Sequence, residues 1–340
     1  MGDVAGIGPE VIARAWGEAP LRNLARPFVV GRCEALARAV ACVGGSAEVR
    51  RINRPEEAEP SSRVIPCLDA TDQDVLAVPP GRVDPRAGRA AYDFLVAAID
   101  LALAGRVDAV TTLPINKESL HASGVRHPGH TEILAERCGV SDFTMMLYLG
   151  PPIGQSEAGL GVVHVTLHVA LREVFALLTI ERVRATIALA DRALRPLTRG
   201  RRPRVAVAGL NPHAGEHGLF GDEEIRIIGP AIERARAEGI DVTGPIAADT
   251  LFVRAIRGEF DAVVAMYHDQ GHVALKTIGF EHAVNVTLGL PIVRTSVAHG
   301  TAFDIAWQGR AVTSSLIEAV RVAARIVEGQ RALKAPVAAR

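Results

Sequence analysis

Three histidines stand at or just beyond the ends of apolar, strand-like runs: His168 after VVHVTL, His213 in LNPHAGE and His268 in AMYHDQG. Three imidazoles that leave open positions are a ligand set for zinc or a similar divalent ion. In parallel α/β proteins, ligand sites gather where strands end. The spacings of 45 and 55 residues leave any meeting of the three to the tertiary fold. Two carboxylates accompany them, Asp269 directly after His268 and Asp249 in GPIAADTLF. Such groups orient metal-bound water, hold a histidine's second nitrogen or accept a proton. Asp249 also suits the N-cap of a helix beginning near Thr250.

A second set reads as an anion site. His130 and Thr131 in PGHTEILAE fall at a predicted helix start, where backbone N–H groups are free to meet an anion. Lys276, Asn285 and Arg294 follow at 9-residue intervals, too wide for one helix face. Two cations and an amide together suit a phosphate and a carboxylate.

The elements that must position these residues alternate between Val/Ala-rich runs and helical patterns, the rhythm of an α/β protein with a largely parallel sheet. Helices are expected over Ala90–Ala104, Glu181–Leu194, Glu223–Glu238 and Ser314–Val327, the last with a stripe at Leu316, Val320, Ala323 and Val327. Strands are expected over Val107–Pro114, Gly161–Thr166 and Arg204–Leu210. The string Asp-Ala-Val opens two strands, at Asp108 and Asp261, and is too short to establish a duplication. Residues Asn53–Arg82 read as a surface segment, and Arg199–Arg204 as a solvated loop. The chain opens on MGDVAGIGPE, a Gly-rich turn with Pro9 in the first turn of a helix and no strand before it.

The 340 residues suffice for two domains or one large one. Lys plus Arg and Asp plus Glu are 38 each, and aromatics are 4%. That balance lacks the basic footprint and the stacking platforms of a nucleic-acid binder. No apolar run approaches the roughly 20 residues that cross a bilayer, and the start shows no secretory signal. The expectation is a cytoplasmic protein. Cys33, Cys42, Cys67 and Cys138 show no CxxC spacing and are expected as reduced, mostly buried thiols.

The segments MGDVAGIGPE, PGHTEILAE, LNPHAGEHGLFGDEE, GPIAADTLF, YHDQGH and NVTLGLPIVRTSVAHGTAFDIA, in this order, closely resemble the 4-hydroxythreonine-4-phosphate dehydrogenase family. The resemblance implies two α/β/α domains with mostly parallel sheets and an interdomain active-site cleft, like isocitrate and isopropylmalate dehydrogenases. Residues 1–123 with 290–340 would form the first domain and 124–289 the second. It implies a homodimer with a shared active site and one divalent metal (Zn, Mg, Co or Mn) on His168, His213 and His268, one of them from the partner subunit. Substrate contacts are implied for His130, Thr131, Lys276, Asn285 and Arg294.

HGTAFDIA is similar to the adenosine-contacting loop of those fold relatives, which places NAD against His299, Gly300, Thr301 and Asp304. NADP would call for an additional cation, which the sequence does not locate. Trp307 stands where similar loops carry Gly, and the family has a strand before the GDxAGIGPE turn, so either the start lies upstream or the sheet lacks that strand. The implied reaction is metal-dependent, NAD-linked oxidation with decarboxylation of 4-hydroxythreonine 4-phosphate, as in pyridoxine biosynthesis. PINKESL, HPGHTEILAE and VVHVTLH resemble a branch acting on D-threonate or D-erythronate 4-phosphate, giving dihydroxyacetone phosphate. Further alternatives are a terephthalate dihydrodiol dehydrogenase and a non-catalytic metabolite-binding protein. The expected proton acceptor is Asp249, followed by Lys117 and a metal-bound water.

Overall fold

The computed structural model describes residues 1–335 and divides into two compact units, Met1–Ser141 with Leu290–Ala324, and Asp142–Gly289 with the residues from Arg325 onward. In chain order the first unit holds α1 (Gly8–Gly17), α2 (Ala19–Leu24), β1 (Val29–Gly31), α3 (Cys33–Cys42), β2 (Glu48–Ile52), β3 (Val64–Asp69), α4 (Pro85–Leu103), β4 (Ala109–Thr112), α5 (Lys117–Ala122) and α6 (His130–Cys138). The second holds β5 (Thr144–Leu149), β6 (Leu160–His164), α7 (Leu171–Leu177), α8 (Ile180–Leu194), β7 (Val205–Ala208), α9 (Gly229–Ala237), β8 (Val242–Ile246), α10 (Ala248–Ile256), β9 (Ala262–Ala265), α11 (His268–Gly279) and β10 (Val284–Leu288). The chain returns to the first unit with β11 (Val293–Val297) and the start of α12 (Ser314–Lys334).

In the first unit β3 lies between β1 and β2, all parallel, and β4 pairs in parallel with β11. In the second the order is β10-β5-β6-β9-β7-β8. Its β6, β9, β7 and β8 run parallel, whereas β5 pairs antiparallel with both β6 and β10. Strands β6, β7 and β9 are buried along their whole length. Their unbroken Val/Ala runs are what a strand covered on both faces requires.

Several elements depart from expectation for visible reasons. Helix α4 starts at Pro85, not Ala90, because the Asp84 carboxylate accepts from Arg86 N at 2.8 Å and Pro85 suits the first turn. The expected helix 223–238 is interrupted: residues Glu224–Ile228 form a wide turn before α9. On α12 the buried positions are Leu316, Ile317, Ala319, Val322, Ala323 and Ile326, while Val320 and Val327 are half-buried. Residues 53–82, expected as surface, contain the middle strand β3 with Ile65 and Cys67 in the core.

Residues 199–202 are exposed in a loop before β7, as expected, yet two arginines of the run also serve a buried carboxylate. Asp261 is 0% exposed, and Arg201 and Arg204 close on its carboxylate at 2.7 and 3.2 Å. These cations hold Asp261 well below the usual carboxylate range against the opposing effect of burial. Asp108, which opens the other Asp-Ala-Val string, is exposed, so the two strings open strands β4 and β9 alike but differ in the burial of the Asp.

The boundary of the first unit falls after Ser141 rather than near 123. Ile133 and Leu134 of α6 share a core with Leu95, Ile99 and Leu120, which binds α6 to α4 and α5. Residues 325–335 go with the second unit, where Arg325 Nη1 donates to Tyr148 Oη at 2.9 Å. Residues 336–340 of the expected first domain lie outside the described ones.

Helix α4 approaches α5 through Gly88, where an added Cβ would stand 2.0 Å from Ser119 O and 2.6 Å from Leu120 N. Backbone atoms there have no rotamer to change. Gly88→Ala is therefore expected to destabilise the protein by roughly 1–3 kcal/mol or more, read as a lower urea midpoint at unchanged m-value.

Candidate active site

The second unit gathers four histidines around the end of β6 and the start of α11. His164 closes β6 and His168 lies in the loop that follows. His268 and His272 are one helical turn apart on α11, and their rings stack at 3.8 Å between centroids with a 10° interplanar angle. His272 Nδ1 and His164 Nε2 share a hydrogen bond of 3.1 Å, and the His168 ring lies 5.6 Å from that of His268. An added Cβ on Gly271 would come within 2.4 Å of His164 Nε2, so glycine makes room for the pair. Burial, then the neighbouring His272, holds His164 down to about 3; burial, then His268, holds His272 down to about 4. His164 and His272 escaped the sequence reading. The four-residue spacing in HDQGH and VVHVTLH was the available signal.

His213 is placed differently. It stands exposed in a run of left-handed backbone, with φ of 55° at His213, 53° at Ala214, 43° at Glu216 and 57° at His217. Buried Glu224 fixes this loop, its Oε1 accepting from Leu210 N at 2.7 Å and from Asn211 N at 2.8 Å. Ligand atoms of His168, His213 and His268 do not come within 4.8 Å of one another. Among the described residues that closeness is reached by Cys33, Cys67 and Asp69. The structure brings the His168 and His268 rings together, while the ligand atoms of the three histidines do not all fall within that distance of one another.

The donor set still fits a divalent ion. The Asp269 carboxylate takes His268 Nδ1 at 2.7 Å, which orients the ring and leaves Nε2 as the ligand atom. Asp249 is exposed in the first turn of α10 and does not cap it; Ala247 occupies the cap position.

In the first unit β11 carries Arg294, only 4% exposed, whose Nη2 donates to Thr112 Oγ1 on β4 at 2.7 Å. Burial lowers this guanidinium to about 10, so it remains a cation at neutral pH. His130 begins α6 with Thr131 beside it. Burial, with Arg294 as a like-charged neighbour, holds His130 well below the usual imidazole range. It is a neutral group at a helix N-terminus close to a buried cation. Lys117 opens α5 and flanks the same turn, its Cε 3.9 Å from where a Gly129 Cβ would lie. Lys276 and Asn285 belong to the second unit, on α11 and β10, with the Lys276 ammonium 5.7 Å from the Phe280 ring centroid.

The loop 299–309 packs on the N-terminal Gly-rich turn. Ile7 N donates to Thr301 O at 3.0 Å, and an added Cβ on Gly6 would stand 2.8 Å from the same oxygen. Trp307 has a φ of 61°, the region that favours glycine, which explains the residue usual in similar loops. Its Nε1 donates to Val4 O at 2.8 Å, its N to Glu10 Oε2 at 2.5 Å, and Arg38 covers the ring at 4.6 Å. His299 Nδ1 faces Gly300 O at 3.0 Å, so it carries the proton and Nε2 is the acceptor. That Nε2 is buried with no hydrogen-bond partner among the described residues. Gly300 and Asp304 are exposed beside it. An unsatisfied acceptor on a loop with an open Gly fits a cofactor hydroxyl or amino group.

A two-unit α/β chain with mostly parallel sheets, clustered imidazoles and a buried cation at a helix start has the make-up of a dehydrogenase acting on a CH–OH group. The chain belongs to the family of the pyridoxal phosphate biosynthetic protein PdxA, whose profile matches residues 23–323. It is 45% identical over 327 residues to the D-threonate 4-phosphate dehydrogenase of Pectobacterium atrosepticum, covering 96% of this chain and 97% of that one. It is 46% identical over 326 residues to the 4-hydroxythreonine-4-phosphate dehydrogenase of Geobacter metallireducens, covering 96% and 94%. The crystal structure of 4-hydroxythreonine-4-phosphate dehydrogenase from Klebsiella pneumoniae superposes with a TM-score of 0.86 at 46% identity, over 96% of this chain and 98% of that one.

The histidine values carry a stability consequence for metal-free protein. Both lie below the 6.5 of an ordinary imidazole, so acid protonates the unfolded chain first and draws molecules out of the folded state. The histidine contribution is full above pH 6.5 and is lost as pH falls toward 4. The urea midpoint of His164→Gln should therefore depend less steeply on pH than that of the wild type between pH 6.5 and 5. Equal slopes in the two proteins would count against a neutral, buried His164.

Proposed function

We propose that the chain catalyses NAD-linked, divalent-metal-dependent oxidation of a four-carbon, 4-phosphorylated 3-hydroxy acid, with loss of carbon dioxide. The observation that carries this reading is the buried Arg294 cation beside neutral His130 at the start of α6. A charged guanidinium near free helix N–H groups suits a doubly anionic phosphate. His130, Thr131, Lys276, Asn285 and Arg294 bind substrate in this proposal. His299, Gly300, Thr301 and Asp304 bind NAD. The relatives named for D-threonate 4-phosphate and for 4-hydroxythreonine 4-phosphate are equally similar to this chain. Both substrates stand, the second serving pyridoxal phosphate synthesis and the first giving dihydroxyacetone phosphate. The setting is the cytoplasm.

His168, His213 and His268 are the proposed metal ligands, with zinc the first choice for an all-imidazole set. Held by these imidazoles, the ion would supply Lewis acidity to the substrate's oxygens. Asp269 keeps the His268 ring in its ligating orientation through the Nδ1 hydrogen bond. Asp249 would accept the proton of the substrate hydroxyl, with Lys117 as the reserve acceptor, and NAD when bound would supply the hydride acceptor for the carbon bearing it. The ketone so formed lies β to the carboxylate, which makes the loss of carbon dioxide facile. A panel of phosphorylated hydroxy acids, followed at the reduced-nicotinamide absorbance, tests this. Turnover should require the 4-phosphate and stop with chelator; metal-independent or phosphate-independent turnover overturns the reading.

In the same proposal the chain forms a homodimer in which His213 serves the partner's site. Exposed apolar side chains flank the ligands, Leu219 (72% exposed), Phe220 and Ile225 near His213, and Leu171 (62%) and Phe175 on α7 after His168. Apolar surface of this kind is typical of subunit contacts. His213→Ala and His268→Ala should each be inactive alone. Mixed by co-refolding, they should recover about a quarter of wild-type activity, because half the dimers are mixed and each holds one intact site. A mixture as inactive as its parents would place all three ligands within one subunit.

A further inference from the structure

The first unit holds a second group of chemically capable side chains, away from everything assigned above. Cys33 is the first residue of α3 and Cys67 lies in the middle strand β3, 7% and 0% exposed. Their sulfurs and an Asp69 oxygen all lie within 4.8 Å of one another. Cys33 N donates to Asp69 Oδ1 at 2.7 Å, and Cys33 Sγ lies 3.5 Å from Cys67 O. Arg51 of β2 is in register with Cys67, and its Nη2 reaches Asp69 Oδ2 at 2.8 Å.

This arrangement separates two chemistries. Two thiols and a carboxylate suit a soft divalent ion, but Asp69 Oδ1 already accepts from Cys33 N and the Arg51 guanidinium, 2.8 Å from Oδ2, already supplies the positive charge. A metal would have to displace Arg51. A bond between the sulfurs displaces nothing. The Cys33 thiol is shifted below its ordinary range, first by a hydrogen bond from Cys67 and also by Arg51, while Cys67 is shifted above it by the same partnership and by burial. Helix N-termini and neighbouring arginines favour thiolates in this way. One sulfur is disposed to attack and the other to remain a thiol until called on.

We infer that Cys33 and Cys67 form a peroxide-reactive dithiol that closes to a reversible intramolecular disulfide. The Cys33 thiolate attacks a hydroperoxide oxygen. An S–O bond forms, the O–O bond breaks, and the alkoxide takes a proton and leaves as an alcohol, or as water from hydrogen peroxide. The Cys67 sulfur then attacks the Cys33 sulfenic acid. The S–S bond forms, the S–O bond breaks, and the oxygen departs as water with the Cys67 proton. Overall, two thiols are oxidised by two electrons and one hydroperoxide is reduced. The bond fastens the start of α3 to the centre of the β1-β3-β2 sheet. Neither Cys42 nor Cys138 has a thiol partner of this kind among the described residues.

Full-length protein is treated with a single equivalent of hydrogen peroxide, the remaining thiols are alkylated after unfolding, and the peptides are mapped by mass spectrometry. The expected product is a Cys33–Cys67 cross-linked pair lacking two hydrogens, reversed by dithiothreitol, with Cys42 and Cys138 still alkylated. In Cys67→Ala, oxidation should stop at a Cys33 sulfenic acid that dimedone captures. The wild-type map decides the question even if that variant does not fold. Recovery of both Cys33 and Cys67 as alkylated thiols overturns the inference, as does wild-type Cys33 advancing to sulfinic acid. A stoichiometric zinc ion released from the purified protein by a thiol reagent overturns it too, in favour of a metal site.

Discussion

Placing the Arg294 guanidinium inside the first unit constrains much of what surrounds it. Removing such a charge from water costs several kcal/mol even after the surroundings relax. The parallel register of β11 on β4 sets Arg294 opposite Val110 and Ser296 opposite Thr112, so Arg294, Ser296 and Thr112 share one face. Thr112 answers both neighbours, its hydroxyl accepting from Arg294 and its carbonyl from Ser296 Oγ at 3.1 Å. The opposite face carries the Thr111–Thr295 hydroxyl pair at 3.0 Å, and Thr295 reaches Ala319 O of α12. A one-residue slip would exchange these faces and strand the cation among the wrong partners. The polar strings VTTL and VRTSV are therefore a register lock.

The loop bearing His299 depends on a different constraint, an unfavourable backbone that its surroundings offset. A left-handed residue other than glycine costs about 1–2 kcal/mol. Trp307 accepts that cost because its backbone N–H and indole N–H both find acceptors, Glu10 and Val4, in the N-terminal turn. Glu10 also takes Gly309 N at 2.5 Å, so one buried carboxylate gathers two turns of the loop. The GDVAGIGPE segment thus works on this loop from beneath: Gly6 provides clearance under Thr301, and Glu10 provides the acceptor. The glycines of such a segment need touch no ligand to matter.

What was legible in the sequence follows from the range of the interactions involved. Buried strands such as β6, β7 and β9 announce themselves because covering both faces demands apolar residues throughout. Strand β3 does not. Its short VIPCLD run sits among Pro, Glu and Ser, and only pairing with β1 and β2 makes it central. That Arg201 and Arg204 also pair with a buried carboxylate could not be read, because Asp261 is some sixty residues away. His168, His213 and His268 were picked out by type and placement, but their mutual distances could not be read, since spacing along a chain carries no distance once loops intervene.

The string HDQGH shows how closely five adjacent residues can be committed. His268 must face His168, which fixes the rotation of α11, and Asp269 sets the tilt of its ring through Nδ1. Gln270 then fastens the helix start to two strand ends, its Oε1 accepting from Met266 N at 2.6 Å and its Nε2 donating to Gly209 O at 2.7 Å. Gly209 directly precedes the segment that carries His213, so the amide anchors both histidine-bearing loops to one point. One turn beyond His268, His272 supports that ring face to face and is itself held by His164 from the end of β6. That support needs a position without a Cβ between them, and Gly271 supplies it. Replacing any member removes a different restraint on the same imidazole. The geometry of His268 is thus a property of the sheet ends as much as of its own helix.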